Sequence, residues 1–318
     1  MVRLKSKTKI RNKKGGTSRK PNKKLKCLKQ DYFSKLDGDL VINKNYDLTN
    51  YLEYVLSDSN FCFDERWYWV IKNMIHNGTI TNKKTVYAML KTNRDYFCCY
   101  LPYNCEICLV DRPYPRLGEN QTISAPHMHA RAIETILTKL VYGNNILDVG
   151  CGSGYLVAAF SYLVNANSYI SGQQGIVHGI DLFQSLVDRS YTNLIKFPDL
   201  KDHISIVNNK NINNKNIKLF TADAWTWTGI DIEYDAIHIG AGVNQIPQNL
   251  WKLLKNDGLM VLPIKQINGE SFQVYRKTTD YSIHTPIGTG IKVRYVPLLK
   301  LCSSNNPNRR CHNIQINS

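Results

Sequence analysis

Nowhere in these 318 residues is an apolar run long enough to cross a bilayer, and no short apolar core follows the basic N-terminus as a secretory signal would require. Acidic residues are missing from residues 1–30, which carry 13 Lys or Arg. That stretch supplies +13 of the formal net charge of +16, leaving +3 for the other 288 residues. The basic character therefore belongs to a tail and not to the folded body. The tail has few apolar residues with which to offset ordering entropy, so it reads as a solvated, disordered extension. We favour that reading over a nuclear address or weak nucleic-acid contact through phosphate charge. The expected compartment is the cytoplasm, with the nucleus as the alternative, and no membrane partner is expected.

A disulfide framework is also lacking. The nine cysteines are scattered and odd in number, which suits reduced thiols. Cys105 and Cys108 form a lone C-x-x-C near Cys98 and Cys99, but no second spaced pair exists, and adjacent cysteines chelate one ion poorly. No metal site is expected.

The chain divides into three. Residues 1–60 read as the basic extension and a loose linker, 61–302 as one domain, and 303–318 as a C-terminal tail. Within the domain, helical periodicity over Asp64–His76 and Thr81–Leu90 predicts a helical preamble, the second helix with Thr81 as N-cap. A helix is predicted from about Met128 to Tyr142. Short apolar runs then alternate with helical patterns. The runs are Ile146–Val149, Ile176–Ile180, Ile217–Phe220, Ala236–Ile239 and Leu259–Pro263; the helices are Ser185–Ile195 and Gln245–Leu254. Such alternation predicts an α/β fold of Rossmann-like type, a mostly parallel sheet with helices on both faces. Phe272–Arg276 and Ile291–Leu298 read as antiparallel C-terminal strands. The Asn-rich stretch 208–216 reads as a surface insertion.

Ile146–Val149 leads into Gly150-Cys151-Gly152-Ser153-Gly154 and then an apolar helix. A strand, a glycine turn and a helix make a small-ligand site, because no Cβ blocks approach to the backbone. The spacing is G-x-G-x-G with an acid, Asp148, two positions before the first glycine, not the G-x-G-x-x-G dinucleotide fingerprint. That form is typical of enzymes using the cationic cofactor S-adenosylmethionine. Asp148 is expected to orient the glycine loop and favour the cation. Asp181, at the next strand end, can accept from two ribose hydroxyls, and Asp223, after the third, from the adenine amino group. Each could singly be an ordinary strand-end acid; their order along the chain favours a methyltransferase. Upstream, Gln121–Ala130 holds Ser124, Pro126, His127 and His129. By composition alone it reads as a helix N-terminus with Ser124 as cap and Pro126 near N1.

Three stretches then agree with one family. Thr122–His129, Tyr234–Ala241 and Tyr295–Leu298 resemble, in order, the signatures of protein-L-isoaspartate (D-aspartate) O-methyltransferases. The resemblance covers roughly residues 65–300. It implies a protein-repair enzyme that moves a methyl group to the free α-carboxylate of L-isoaspartyl residues. The ester then closes to a succinimide that opens partly to aspartate. It implies Ser124 as the active-site serine. It places Gln121, Thr122, Ile123, Ser124 and His129 at cofactor-contacting positions, beside Asp148, Gly150 and Gly152, which the strand and glycine turn themselves put at the cofactor. Asp181 with Leu182 falls on the ribose position and Asp223 with Ala224 on the adenine position. His127 and Val296 are expected at the substrate, with Val293–Leu298 offering main-chain hydrogen bonds to an extended peptide. The implied partners are isoaspartyl proteins and peptides, and the implied state is a monomer. The sequence departs from the family at Ala224, where glycine is usual, at Gly242-Val243-Asn244, and at Leu299, where a polar residue is common. An RNA methyltransferase and a non-catalytic cofactor-binding adaptor are the alternatives.

Overall fold

Apolar residues alternate between two faces along each central strand, which is what a sheet covered on both sides demands. Ile146, Val177, Ala236 and Val261 enter one buried cluster; Leu147, Ile180, Ile237 and Met260 enter a second on the opposite face. The structure, a computed structural model, describes residues 48–57, 65–98, 108–165, 174–207, 215–278, 286–287, 290–301 and 310–311. The basic tail, Cys105, and residues 208–214 of the Asn-rich insertion lie outside the described residues.

Four helices come first: α1 (Leu48–Ser57), α2 (Glu65–His76), α3 (Lys83–Lys91) and the single turn α4 (Asp95–Cys98). A hairpin of β1 (Tyr114–Gly118) and β2 (Gln121–Ile123) precedes α5 (Pro126–Thr135). The α/β portion runs β3 (Asn145–Val149), α6 (Tyr155–Val164), β4 (Ile176–Asp181), α7 (Gln184–Leu194), β5 (Ile204–Ile206), β6 (Ile217–Thr221), β7 (Tyr234–Ile239), α8 (Gln248–Lys252), β8 (Leu254–Gln266), β9 (Gly269–Arg276) and β10 (Ile291–Lys292). The eight-stranded sheet has the order β10-β9-β8-β7-β3-β4-β6-β5. Its β5 to β8 portion is parallel, and β9 and β10 join antiparallel. This is the expected Rossmann-like methyltransferase fold. From β3 the chain moves to β4 on one side and later returns to β7 on the other. That reversal makes the β3/β7 junction the switch point, where ligands bind in open α/β sheets.

Several expectations need correction. The domain begins before residue 61, because α1 buries Tyr51 and Leu52 in the main core. Leu48, Tyr51, Leu52 and Val55 have helical spacing, a signal hidden by the polar residues around them. The tail after 303 is not wholly separate, since β12 (Arg310–Cys311) pairs antiparallel with β11 (Lys300–Leu301). Asn82, not Thr81, caps α3, accepting the Lys84 N–H at 2.8 Å. Thr81 instead donates to Glu134 of α5 at 2.7 Å, tying the preamble to that helix. The helix expected over Met128–Tyr142 ends at Thr135 and continues only as a short 3-10 turn, Leu137–Lys139. The helix expected over Gln245–Leu254 shrinks to five residues, because Pro247 starts it and β8 begins at Leu254. Asn256–Gly258 lies within β8 as an irregularity, with Asp257 at φ 61°. The strand expected over Ile291–Leu298 stops at Lys292.

Candidate active site

Gly150, Gly152 and Gly154 all have positive φ, the left-handed region that an L side chain resists. A Cβ on Gly152 would lie 3.0 Å from Leu117. Above Gly150 the space is open. The loop is oriented by β4, not by Asp148. Gly150 and Cys151 donate N–H to the Ile180 carbonyl at 2.8 and 3.0 Å, and Gly152 donates to Asp181 Oδ2 at 3.0 Å. Asp181 Oδ1 accepts from Phe183 N–H at 3.1 Å. Burial raises the Asp181 carboxyl to about 6, against the lowering pull of those two N–H groups; the neighbouring charge of Asp148 adds to the rise. Asp148 faces His238, its register neighbour on β7, with Oδ1 2.7 Å from Nδ1. The sequence expectation for Asp148 as the loop's orienting group is thus replaced. Strand pairing brings a histidine within reach of it, and a β4 acid reaches the loop first.

Three connected cavities open at the switch point, and Thr122 and Gly240 line all of them. The first, about 570 Å³, runs past Gln121, Gly150, Gly152, Asp181, Leu182, Ala222, Ala224 and Leu298–Leu299. The second, about 430 Å³, is lined by Ile123, Ser124, His129, Asp148, Tyr155 and His238. The third, about 1160 Å³ and more open, is lined by Ser124, His127, Lys292, Arg294 and Val296. Thus most of the expected residues converge on one cleft, and its outermost part carries two cationic side chains.

Asp223 does not join them. Ala222 and Ala224 line the first cavity, whereas the Asp223 carboxylate accepts Trp225 N–H at 2.9 Å and Leu301 N–H at 2.8 Å. It serves as a strand-end acid holding the β6 exit, the ordinary role left open by its position in sequence. The adenine acceptor expected there finds no support in this geometry. Ser124 is not a helix cap either: Ala125 is the N-cap of α5 and Pro126 takes the first turn. Ser124 and Tyr295 instead line the second and third cavities together, and burial pushes the Tyr295 phenol up to about 12. His127 Nδ1 pairs with Asp111 at 2.8 Å and its N–H donates to the same oxygen at 2.9 Å. His129 is buried, stacks on Tyr155 with centroids 4.3 Å apart, and leaves Nδ1 without a hydrogen-bond partner. Burial, then the Arg94 charge, holds its imidazole well below the ordinary value, so it is neutral at pH 7.

The segment after Lys292 is not a strand, yet it is fastened. Tyr295 N–H donates to Glu270 Oε2 at 2.8 Å. Gly242 N–H donates to Val296 O, and Leu298 N–H to Gly242 O, both at 2.8 Å. A Cβ on Gly242 would meet Glu270 Oε1 at 2.1 Å. The departure Gly242-Val243 is therefore the clasp of this segment, and Leu299 packs with Leu117, Phe183 and Leu186 at the cavity rim. Sequence reasoning missed Leu117, Gly240, Tyr295 and Leu298 as site residues. Tyr295 and Leu298 lay inside a quoted motif, but nothing local indicated that they face the glycine loop.

The residues fit S-adenosylmethionine. Asp181 is a buried acceptor aimed at the cavity, the glycine loop leaves backbone uncovered, and Asp148 lines the inner part where a cation would sit. Comparison with known proteins agrees. The family model for protein-L-isoaspartate(D-aspartate) O-methyltransferase matches residues 66–303. The chain is 35% identical to Arabidopsis thaliana protein-L-isoaspartate O-methyltransferase 2 over 72% of its own length and 66% of that protein's. It is 32% identical to Arabidopsis thaliana protein-L-isoaspartate O-methyltransferase 1 over 72% of its length and 89% of that protein's. A solved Plasmodium falciparum structure, described as a protein-L-isoaspartate O-methyltransferase in complex with S-adenosyl-L-homocysteine, shares the fold. Its TM-score is 0.59 at 24% identity, over 72% of this chain and 96% of that one. The chain belongs to the protein-L-isoaspartate (D-aspartate) O-methyltransferase family, the S-adenosylmethionine-dependent methyltransferases that act on L-isoaspartyl residues in protein repair.

Proposed function

We propose that this chain transfers methyl to the α-carboxylate of isoaspartyl residues through the cleft built around Thr122 and Gly240. The single observation that carries this reading is the continuity of a buried acid- and glycine-lined cavity with an open one bearing Lys292 and Arg294. An anionic acceptor would meet cations at the entrance and Ser124 within. Bound S-adenosylmethionine supplies an electrophilic methyl group. Gly150, Gly152, Asp181, Leu182 and Ala224 would hold it, with Gln121 and Thr122 closing over it.

The acceptor is a carboxylate, ionised at neutral pH, so the chain has no proton to abstract. Catalysis then rests on positioning and on exclusion of water. Ser124, held through its carbonyl by Arg94, presents a hydroxyl to the carboxylate. His129, neutral and stacked on Tyr155, forms part of the wall without adding charge. The main chain of Arg294–Val296 would read an extended peptide, which suits substrates of many sequences, because backbone is common to all. We further propose that the basic N-terminal stretch takes no part in the reaction and that the protein is monomeric and cytoplasmic, with the nucleus as the alternative compartment.

The test is transfer of labelled methyl to a synthetic isoaspartyl peptide and to its aspartyl twin, with the full chain and with residues 1–47 removed. Selective labelling by both supports the reading. Equal labelling of the two peptides, or none, refutes it, and dependence on added RNA would point to the RNA-directed alternative.

A further inference from the structure

Among the described residues Arg94 is the most deeply buried cation, and it stands immediately behind the Ser124 wall. It is 0% exposed. Its guanidinium donates to four backbone carbonyls in the region between α4 and α5: Cys108 at 2.5 Å, Arg112 at 3.0 Å, Ser124 at 3.1 Å and Ile123 at 3.5 Å. No carboxylate among the described residues forms an ion pair with it, and its Nε has no hydrogen-bond partner. Asp111 feels its charge but is bound to His127. A buried guanidinium is costly to leave without a counter-ion. Carbonyl dipoles satisfy its donors but do not cancel its charge. The missing anion has an obvious candidate, because the cavity on the other side of Ser124 is where the carboxylate of the substrate is held in the reading proposed above.

We propose that Arg94 is the positioning residue of the methyl-acceptor site. Its fork fixes Ser124 through the carbonyl, and its uncompensated charge favours the ionised acceptor over an uncharged analogue. It touches neither substrate nor cofactor. Lysine cannot replace it, because a single ammonium cannot span Cys108, Arg112 and Ser124 in one plane.

The experiment compares the full chain with Arg94→Gln and Arg94→Lys. Each is assayed with an isoaspartyl peptide as substrate and with the same peptide bearing an α-carboxamide as a competitive inhibitor. Arg94→Gln is expected to raise KM for the carboxylate peptide about tenfold and to lower kcat about tenfold. S-Adenosylhomocysteine affinity and the inhibition constant of the carboxamide should stay within about threefold. Arg94→Lys should keep most of the preference for carboxylate over carboxamide while losing kcat. Equal weakening of both peptides would mean a merely structural arginine and overturn the proposal, as would wild-type kinetics in either variant. Should Arg94→Gln fail to fold by circular dichroism, the kcat of Arg94→Lys decides: loss supports the fork, retention overturns it. A wild-type chain that methylates no isoaspartyl peptide would sink the functional reading itself, a separate outcome.

Discussion

The two halves of the cleft are built by different means. The cofactor half is made of strand ends. Gly150, Asp181 and Gly240 follow β3, close β4 and follow β7, and their positions are set by sheet register and by backbone bonds such as Gly150 N–H to Ile180 O. The acceptor half lies outside regular structure. Ser124 and Val293–Leu298 are held by individual side chains: Arg94 on the Ser124 carbonyl and Glu270 on the Tyr295 N–H. A half fixed by register resists single substitutions that leave its backbone bonds intact. A half fixed by side chains can be dismantled one bond at a time. The two halves should therefore separate in mutant kinetics.

The largest effect is expected where the cofactor half does depend on one side chain. Asp181→Ala leaves the Gly152 and Phe183 N–H groups without their acceptor, and each buried orphan costs about 1–3 kcal/mol. Affinity for S-adenosylhomocysteine, read by calorimetry, should fall at least about 100-fold. Unchanged affinity would show that Asp181 does not serve the cofactor. Next, Ser124→Ala should lower kcat on isoaspartyl peptide about 10- to 100-fold while cofactor affinity moves less than about threefold. If only cofactor binding suffers, the proposed division between halves is wrong. Glu270→Gln weakens a charge-assisted bond to Tyr295 N–H, and peptide KM should rise about threefold to tenfold with cofactor affinity unaltered.

The pH dependence belongs to the cofactor half. The Asp181 carboxyl titrates at about 6 in the folded chain, above its ordinary 3.8. The native state therefore holds this proton more tightly than the unfolded state, and the contribution to stability is lost as pH rises through that window. The ribose hydroxyls need the ionised carboxylate, so cofactor binding runs the other way. Calorimetric affinity should weaken by up to about tenfold per pH unit below 6 and level off above it. A profile flat from pH 5 to 8 would remove Asp181 from that role. The smallest effect is expected at the exposed entrance. Lys292→Glu or Arg294→Glu should raise peptide KM about twofold to threefold, and added salt should erase the difference.

The glycine turn, the acid closing β4 and the order of strands and helices were legible in the sequence, because each is a local pattern. Asp148 and Asp223 were legible as acids at strand ends but not in their roles. Register alone put His238 opposite Asp148, and the return of the chain put Leu301 N–H on Asp223. Val293–Leu298 reads as a strand by composition, yet its bonds go to Glu270 and Gly242, which no spacing rule connects to it. Arg94 left no trace at all, since neither period nor motif marks Lys-Thr-Asn-Arg-Asp.

By itself, then, the sequence determined the sheet, the cofactor class and the family, through hydrophobic period and short contiguous motifs that act over a few residues. Tertiary structure decided which acid orients the glycine loop, what anchors Ser124 and where the buried charge lies. Those depend on groups far apart in sequence meeting in space, such as Gly152 with Asp181, 29 residues on, and Arg94 with Ser124, 30 residues on, and such separations leave no local pattern to read.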